Sequence, residues 1–233
     1  MAKEVTETTM TIDPIKKTQL NLHLVGDSDL ILNKKSLSFT REEIFKQSNP
    51  KGTKIPDTIA QKGNYNLYEK LITSVTWEKP IPEYDDYSLY TKEMWEDLMQ
   101  NNRPCILSKA FISSFYECFV THFKDSTGRN GTDFKRSVSL RGYKHPVDFT
   151  SVTYSQHLTP NTGITKTNVL AQHNIFSGWS CNLDLTIVQS VFPVKTVIEI
   201  INTTGEFIGI GTKRAEGWGH YHIDDVEVME VLK

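Results

Sequence analysis

The chain of 233 residues is 38% hydrophobic and 10% aromatic, enough apolar material for a packed core, which excludes wholesale disorder. Its 26 basic and 28 acidic side chains nearly cancel, which excludes a uniformly basic nucleic-acid coat but not a local basic patch. No apolar run approaches the roughly 20 residues of a membrane helix, and the polar stretch Met1–Lys17 has no apolar signal region, so a cytoplasmic protein away from membranes is expected.

Residues 1–17 read as a flexible N-terminal arm ahead of a single domain over 18–233. Leu20, Leu22 and Leu24 alternate with Gln19, Asn21 and His23, the period of a strand with one buried face. The strand stops at the turn sequence Val25-Gly26-Asp27-Ser28. Prolines and glycines between Pro50 and Pro82 interrupt every long pattern, so about 30–102 reads as an inserted lobe with short helices, one near Tyr90–Gln100. Within it Glu83, Asp85, Asp86, Glu93, Glu96 and Asp97 face only Lys92, a local charge of −5. That stretch is expected to turn away from phosphate.

Leu107, Phe111, Phe115, Phe119 and Phe123, with Ala110 and Cys118, form an apolar stripe that predicts a helix over 107–123 lying on a sheet. Ser108 is placed to cap its first turn, and Lys109 lies on its opposite face. Asp125–Asp133 is a loop by composition. Val138 and Leu140, then Val147, Phe149 and Val152, indicate two strands joined through Gly142–Pro146, and Ser155–Asn168 reads as another loop. Trp179, Cys181, Leu183, Leu185 and Ile187 alternate strictly with polar residues, the clearest strand of the chain. Pro193 opens a second helix over 193–208, with Val194, Val197, Ile198 and Ile201 on its apolar face. Tyr221, Ile223, Val226 and Val228 predict a terminal strand with a bulge at Asp224-Asp225. The order is βαββαβ, an α+β ferredoxin-like split βαβ core with a large insertion after the first strand and long decorated loops.

Two segments carry charge suited to phosphate. In the basic loop region 124–146, Lys124, Arg129, Lys135, Arg136, Arg141 and Lys144 are opposed only by Asp125 and Asp133, leaving +4. The connection from Gly205 to His222 holds five glycines in fifteen residues, with Lys213 and Arg214 at its tip. Trp218, Tyr221 and Tyr143 are flat surfaces on which bases stack, at about 1–3 kcal/mol per base. The candidate nucleic-acid-binding residues are therefore Lys109, Arg129, Lys135, Arg136, Arg141, Tyr143, Lys144, Lys213, Arg214 and Trp218, together with the glycine-rich loop residues Gly209, Gly211, Gly217 and Gly219. Glycine is also ordinary in a helix-to-strand connection. A nucleotide-binding glycine loop follows a strand and opens a helix, the reverse of the order here, so dinucleotide binding is not expected.

No nucleophile–base pair is recognisable. His220, His222 and Asp224 alternate along one strand in a spacing that can hold a metal, but such alternation equally makes a solvent face. No catalytic residue, metal or cofactor is expected, and the free thiols Cys105, Cys118 and Cys181 are read as buried.

The run from Gly209 to Ile223, Gly-Ile-Gly-Thr-Lys-Arg-Ala-Glu-Gly-Trp-Gly-His-Tyr-His-Ile, resembles the C-terminal glycine-rich loop of the RAMP superfamily. Members of that superfamily are RNA-binding backbone and end subunits of CRISPR effector complexes, built on ferredoxin-like folds. Pro104–Phe111, with Ser108-Lys109, resembles the segment after that family's first strand. Val25 to Ile31 is similar to the start of small phage proteins that also end in a Gly-x-Gly strand entry. The resemblance covers 19–31, 104–123 and 175–230. It implies a RAMP- or RRM-like core and a cytoplasmic, phage-encoded protein that handles single-stranded nucleic acid. It further implies assembly side by side along a strand, as a ring or filament, and strand annealing in phage recombination or replication, with DNA favoured over RNA. Two alternatives accompany this expectation. One is an anti-defence or structural protein-binding factor, with the acidic 83–97 segment as its surface. The other is a RAMP-type endoribonuclease, whose relatives use a loop histidine.

Overall fold

The alternating leucines form β1 (Lys17–Gly26), with Leu20, Leu22 and Leu24 fully buried. In the computed structural model, which describes residues 15–61, 63–160 and 168–232, β1 is the spine of the main sheet. It pairs antiparallel with β8 (Ser180–Val188) on one side and β9 (Tyr221–Leu232) on the other. β9 skips Asp224 opposite His23 and Leu24, which is the expected bulge. Beyond β8 lie β4 (Val138–Leu140), β5 (Lys144–Asp148) and β3 (Cys105–Leu107), giving the order β3-β5-β8-β1-β9 with β4 also on β8. This is the antiparallel arrangement of a split βαβ fold.

Helices α4 (Ser108–Cys118) and α7 (Val194–Phe207) cover one face of that sheet. Phe111, Phe115, Phe119, Leu183, Leu185, Val197 and Ile201 are all 0% exposed and share one core, as their periodicity requires. α4 runs on through a π-turn, Phe119–Phe123, into α5 (Lys124–Thr127), and Gly128 ends it in the left-handed region at φ 63°.

The basic region at 124–146 is not a loop. Asn130 caps α6 (Gly131–Ser137), with Asp133 returning the bond in a capping box, and Phe134 stacks on Phe119 at 5.0 Å. The polar sequence Asn-Gly-Thr-Asp reads as a loop because a helix start draws on the same residues. Ser108 does not cap α4 either. Leu107 holds the cap position, while the Ser108 hydroxyl donates to the Gly142 carbonyl at 2.6 Å and lies 2.8 Å from His145 Nε2.

Ser155–Asn168 is likewise not a single loop. β6 (Ser151–Pro160) and β7 (Asn168–Ser177) pair along their whole length, and β2 (Leu30–Leu32) joins β7 to complete a second sheet. Both strands are rich in polar residues, so apolar alternation is too sparse to reveal them; residues 161–167 lie outside the described residues. Of the arm expected over 1–17, residues 1–14 also lie outside them, and Lys17 opens β1.

The insertion contributes α1 (Leu37–Ser48), α2 (Leu67–Thr73) and α3 (Lys92–Asn101), the last close to the helix expected at Tyr90–Gln100. Its Leu71, Trp77 and Trp95 belong to the same hydrophobic cluster as the sheet core. Asn174 on β7 fastens it, accepting from Trp95 Nε1 at 2.8 Å and donating to the Leu71 carbonyl at 2.7 Å. α1 and α2 are tied by the carboxylate of Glu69, which is 1% exposed. It accepts from the Ser38 amide at 2.8 Å, the Ser38 hydroxyl at 2.9 Å and Thr73 Oγ1 at 3.0 Å.

Candidate nucleic-acid interface

β2 ends at Leu32, and the chain enters the insertion through Asn33-Lys34-Lys35. Three hollows, of about 920, 590 and 350 Å³, meet at Lys34 and form one groove between the sheet core and the inserted lobe. Lys34, Lys35, Lys70, Lys79, Lys109 and Lys144 line it, against the single carboxylate of Glu83 among the described residues.

Most of these cations are held without a carboxylate. Lys144 Nζ, on β5, donates to the Trp77 carbonyl at 2.6 Å, and Lys79 Nζ donates to the Asn101 carbonyl at 3.1 Å. Lys35 lies 4.8 Å over the Phe39 ring. Partial burial lowers the Lys34 pKa, an effect that Glu83 opposes and Lys144 adds to. Burial also lowers that of Lys70, opposed by Glu69 at 3.8 Å; its ammonium donates to Ser38 Oγ at 2.6 Å and Ser36 Oγ at 3.1 Å. Crowded cations with few counter-ions make a site whose electrostatic energy improves when an anion enters.

Polar side chains and one histidine complete the walls. His173 is 7% exposed, and its Nδ1 lies 3.2 Å from Asn33 Nδ2. Burial lowers its pKa, with Lys213 and His157 adding to the effect and Glu216 opposing it, and the residue lines the groove. Ser74 lies at the junction of two hollows, and its hydroxyl is buried without a hydrogen-bond partner among the described residues.

The expected residues divide between this groove and other surfaces. Lys109, Tyr143, Lys144 and Gly211 line the groove, with Tyr143 67% exposed and free to stack. Lys213 and Arg214 are not a free tip: Lys213 pairs with Glu216 at 3.1 Å, while Arg214 reaches back to α4, 3.1 Å from Glu117 and 3.0 Å from Ser114 Oγ. Lys135 and Arg136 sit on α6, where Lys135 lies 3.8 Å over the Tyr116 ring. Arg129 precedes that helix, and Arg141 donates to Gln19 Oε1 at 2.9 Å; neither lines the groove among the described residues. Trp218 is half-buried, and Tyr221 is no stacking surface, being 1% exposed with its hydroxyl 3.1 Å from the Ile201 carbonyl.

The glycine-rich loop packs backbone on backbone. Gly219, at φ 72°, accepts from Ile210 N at 2.9 Å, and a Cβ there would collide with the Ile210 carbonyl. Gly211, at φ 88°, presses on the Ile31 carbonyl, which also accepts from Thr212 N at 2.9 Å. Gly209 faces Gly219 across the same crossing, and Gly217 closes the turn after Arg214–Glu216. The loop thereby carries Gly211 and Thr212 to the groove wall.

Four groove lysines, Lys34, Lys35, Lys70 and Lys79, were not among the expected residues. The legible signal was the Lys34-Lys35 pair directly after the first strand region; the acidic balance further along the insertion masked it.

The open face of the main sheet is different in kind. Asn21 donates to Asp184 at 2.7 Å, His23 lies 2.7 Å from Asn182, and His222 pairs with Asp27 at 2.7 Å. This polar ladder includes carboxylates, and no group of three metal-ligating side chains occurs among the described residues. No helix among them is long and apolar enough to cross a membrane. The three cysteines are free and buried, with burial pushing Cys105 up to about 11 and Cys181 to about 12.

No family model matches the chain, and no curated protein matches it. Among solved structures, it is similar to a chain of the cryo-electron microscopy structure of type III-B Cmr-β bound to cognate target RNA. The TM-score is 0.52 at 8% identity, over 92% of this chain and 61% of that one. The chain thus spans about three fifths of the neighbour's length. At that identity the likeness is one of fold, an α+β architecture.

Proposed function

We propose that the chain binds single-stranded nucleic acid, without regard to sequence, in the groove between the sheet core and the inserted lobe. The observation that carries this reading is the convergence, among the described residues, of six lysines on one groove lined by a single carboxylate. Ammonium groups neutralise phosphates whatever the base, and exposed Tyr143 at the rim offers a face on which any base stacks. The similar solved structure is bound to cognate target RNA, which supports nucleic acid as the ligand class.

The finer reading is a cytoplasmic phage protein that favours DNA over RNA, oligomerises as a ring or filament, and anneals complementary strands without catalysis. It draws on the likeness of Val25–Ile31 and of the glycine-rich end to small phage proteins. The chemistry of the groove agrees with binding more than with cleavage: His173, the histidine in its lining, is 7% exposed. A protein-binding role for the acidic segment has less support, because Asp85 pairs with Arg41 at 3.1 Å and Glu96 with Lys92 at 3.0 Å.

The test is fluorescence anisotropy with single-stranded DNA, single-stranded RNA and duplex of equal length across a salt series. Tight binding of single strands at low salt, falling steeply as salt rises, is expected. No binding at low salt ends the reading, and tighter binding of RNA overturns the DNA preference. Accelerated pairing of complementary strands tests annealing, and gel filtration tests the assembly.

A further inference from the structure

We propose that the smallest of the three hollows is a nucleobase pocket that takes one unstacked base of a strand lying in the groove. This rests on the nucleic-acid reading above and adds where a base goes and which side chains meet it.

The cavity measures about 350 Å³, at the lower end of the roughly 300–1,000 Å³ typical of small-ligand sites. Its surface is mostly apolar, with Leu32 at the end of β2, Ile106 and Leu107 on β3, and Ala110 in the first turn of α4. A flat heteroaromatic ring gains from burial between such walls, whereas a phosphate loses its hydration there. Lys34 and Lys109 line the same cavity. Their long stems allow the ammonium groups to meet the phosphates on either side of an inserted base.

Asn33, Thr76, Ser113 and Thr212 also line the cavity, and Ser74 differs from them in its unpaired hydroxyl. The residue is 5% exposed, and its hydroxyl has no hydrogen-bond partner among the described residues. A buried hydroxyl left unpaired costs stability, so the fold alone gives no reason for it. The edge of a base supplies the missing partner. A hydroxyl both donates and accepts, so Ser74 can meet an amino or a carbonyl edge alike, which suits binding at arbitrary sequence. Extruding a base costs least when it is unpaired, so the pocket also selects single strands over duplex.

The test compares oligothymidylate with a sugar-phosphate strand of the same length that lacks its bases. Wild-type protein should bind the base-bearing strand about tenfold more tightly. Ala110→Leu, which fills the cavity, should cut that preference to the remainder that stacking on Tyr143 supplies, while leaving salt-dependent binding in place. Should that variant fail to fold, Ser113→Leu blocks the same cavity from its exposed side. Ser74→Ala should weaken the base-bearing strand alone and raise Tm, because it deletes an unpaired hydroxyl. A merely structural serine would move Tm without touching the base preference. Equal binding of the two strands by wild type, or a preference that filling leaves undiminished, overturns the pocket and leaves the groove reading intact. Binding of neither strand at low salt overturns the groove reading itself. Displacement of the strand by an equal concentration of thymidine monophosphate would overturn the strand-base assignment in favour of a free mononucleotide.

Discussion

Lys144 Nζ donates to the carbonyl of Trp77 at 2.6 Å, joining a strand of the sheet core to the inserted segment across the floor of the groove. The bond uses one of three ammonium donors and a neutral acceptor, so the side chain is held in place without a carboxylate in ion-pair contact among the described residues. The groove exists because the core and the insertion share one hydrophobic cluster. Its charge exists because that junction is built with lysines.

Removing the groove charges should therefore weaken binding equally across sequences. For the triple variant Lys34→Gln, Lys109→Gln, Lys144→Gln, the slope of log affinity against log salt should flatten by about 2, since each lost phosphate contact on a single strand accounts for about 0.7. Anisotropy titrations at four salt concentrations measure this. An unchanged slope in a folded variant would move the strand to another surface.

Arg214→Ala should change binding little. Its guanidinium is 3.1 Å from Glu117 and 3.0 Å from Ser114 Oγ, so its charge is largely spent within the protein. Both partners are part-exposed, and water screens the pair, so the stability loss should stay under about 1 kcal/mol. A urea melt and a titration of the same sample give both numbers. A tenfold affinity loss would show that Arg214 leaves Glu117 for phosphate when a strand binds.

The sheet core was legible because burial imposes period: leucines on β1, phenylalanines along α4 and the alternation of β8 each repeat at the spacing of their element. The β6–β7 hairpin was not, since Ser155, Gln156, His157 and Gln172 give it little apolar alternation. Half of the site was similarly hidden. Lys109, Tyr143 and Lys144 could be named from charge and aromatic content, but Lys34, Lys70 and Lys79 reach them only through long-range packing. Glu216, three residues after Lys213, was a local sign of that pairing, but nothing local joined Arg214 to Glu117.

Glu69→Gln should destabilise the inserted lobe. The carboxylate is 1% exposed and accepts two bonds from Ser38 and one from Thr73, beside Lys70 at 3.8 Å. An amide turns an NH₂ toward one of these donors and leaves the Lys70 charge without its partner. Breaking a buried pair on one side costs about 3 kcal/mol or more. Denaturant unfolding of the two proteins measures it, and a loss below about 1 kcal/mol would mean that water replaces the carboxylate.

Acid should weaken the fold through its buried histidines. His145 is 4% exposed with Nε2 at 2.8 Å from Ser108 Oγ, and His173 is 7% exposed; burial lowers the pKa of both. A lowered histidine pKa means the unfolded chain takes up protons first as pH falls. Stability is thus full above the unfolded value of about 6.5 and declines below it, until each histidine protonates in the folded state as well. The slope is at most about 1.4 kcal/mol per pH unit for each histidine. For His145, the Asp184 charge and a bond to the Asn182 backbone oppose the shift, and burial outweighs them. For His173, Lys213 and His157 reinforce it and Glu216 opposes it. Urea midpoints measured between pH 7.5 and 5 should fall for the wild type and fall less for His173→Asn. A midpoint that holds steady to pH 5 would mean that both rings accept a proton within the fold, and that water or carboxylates reach them.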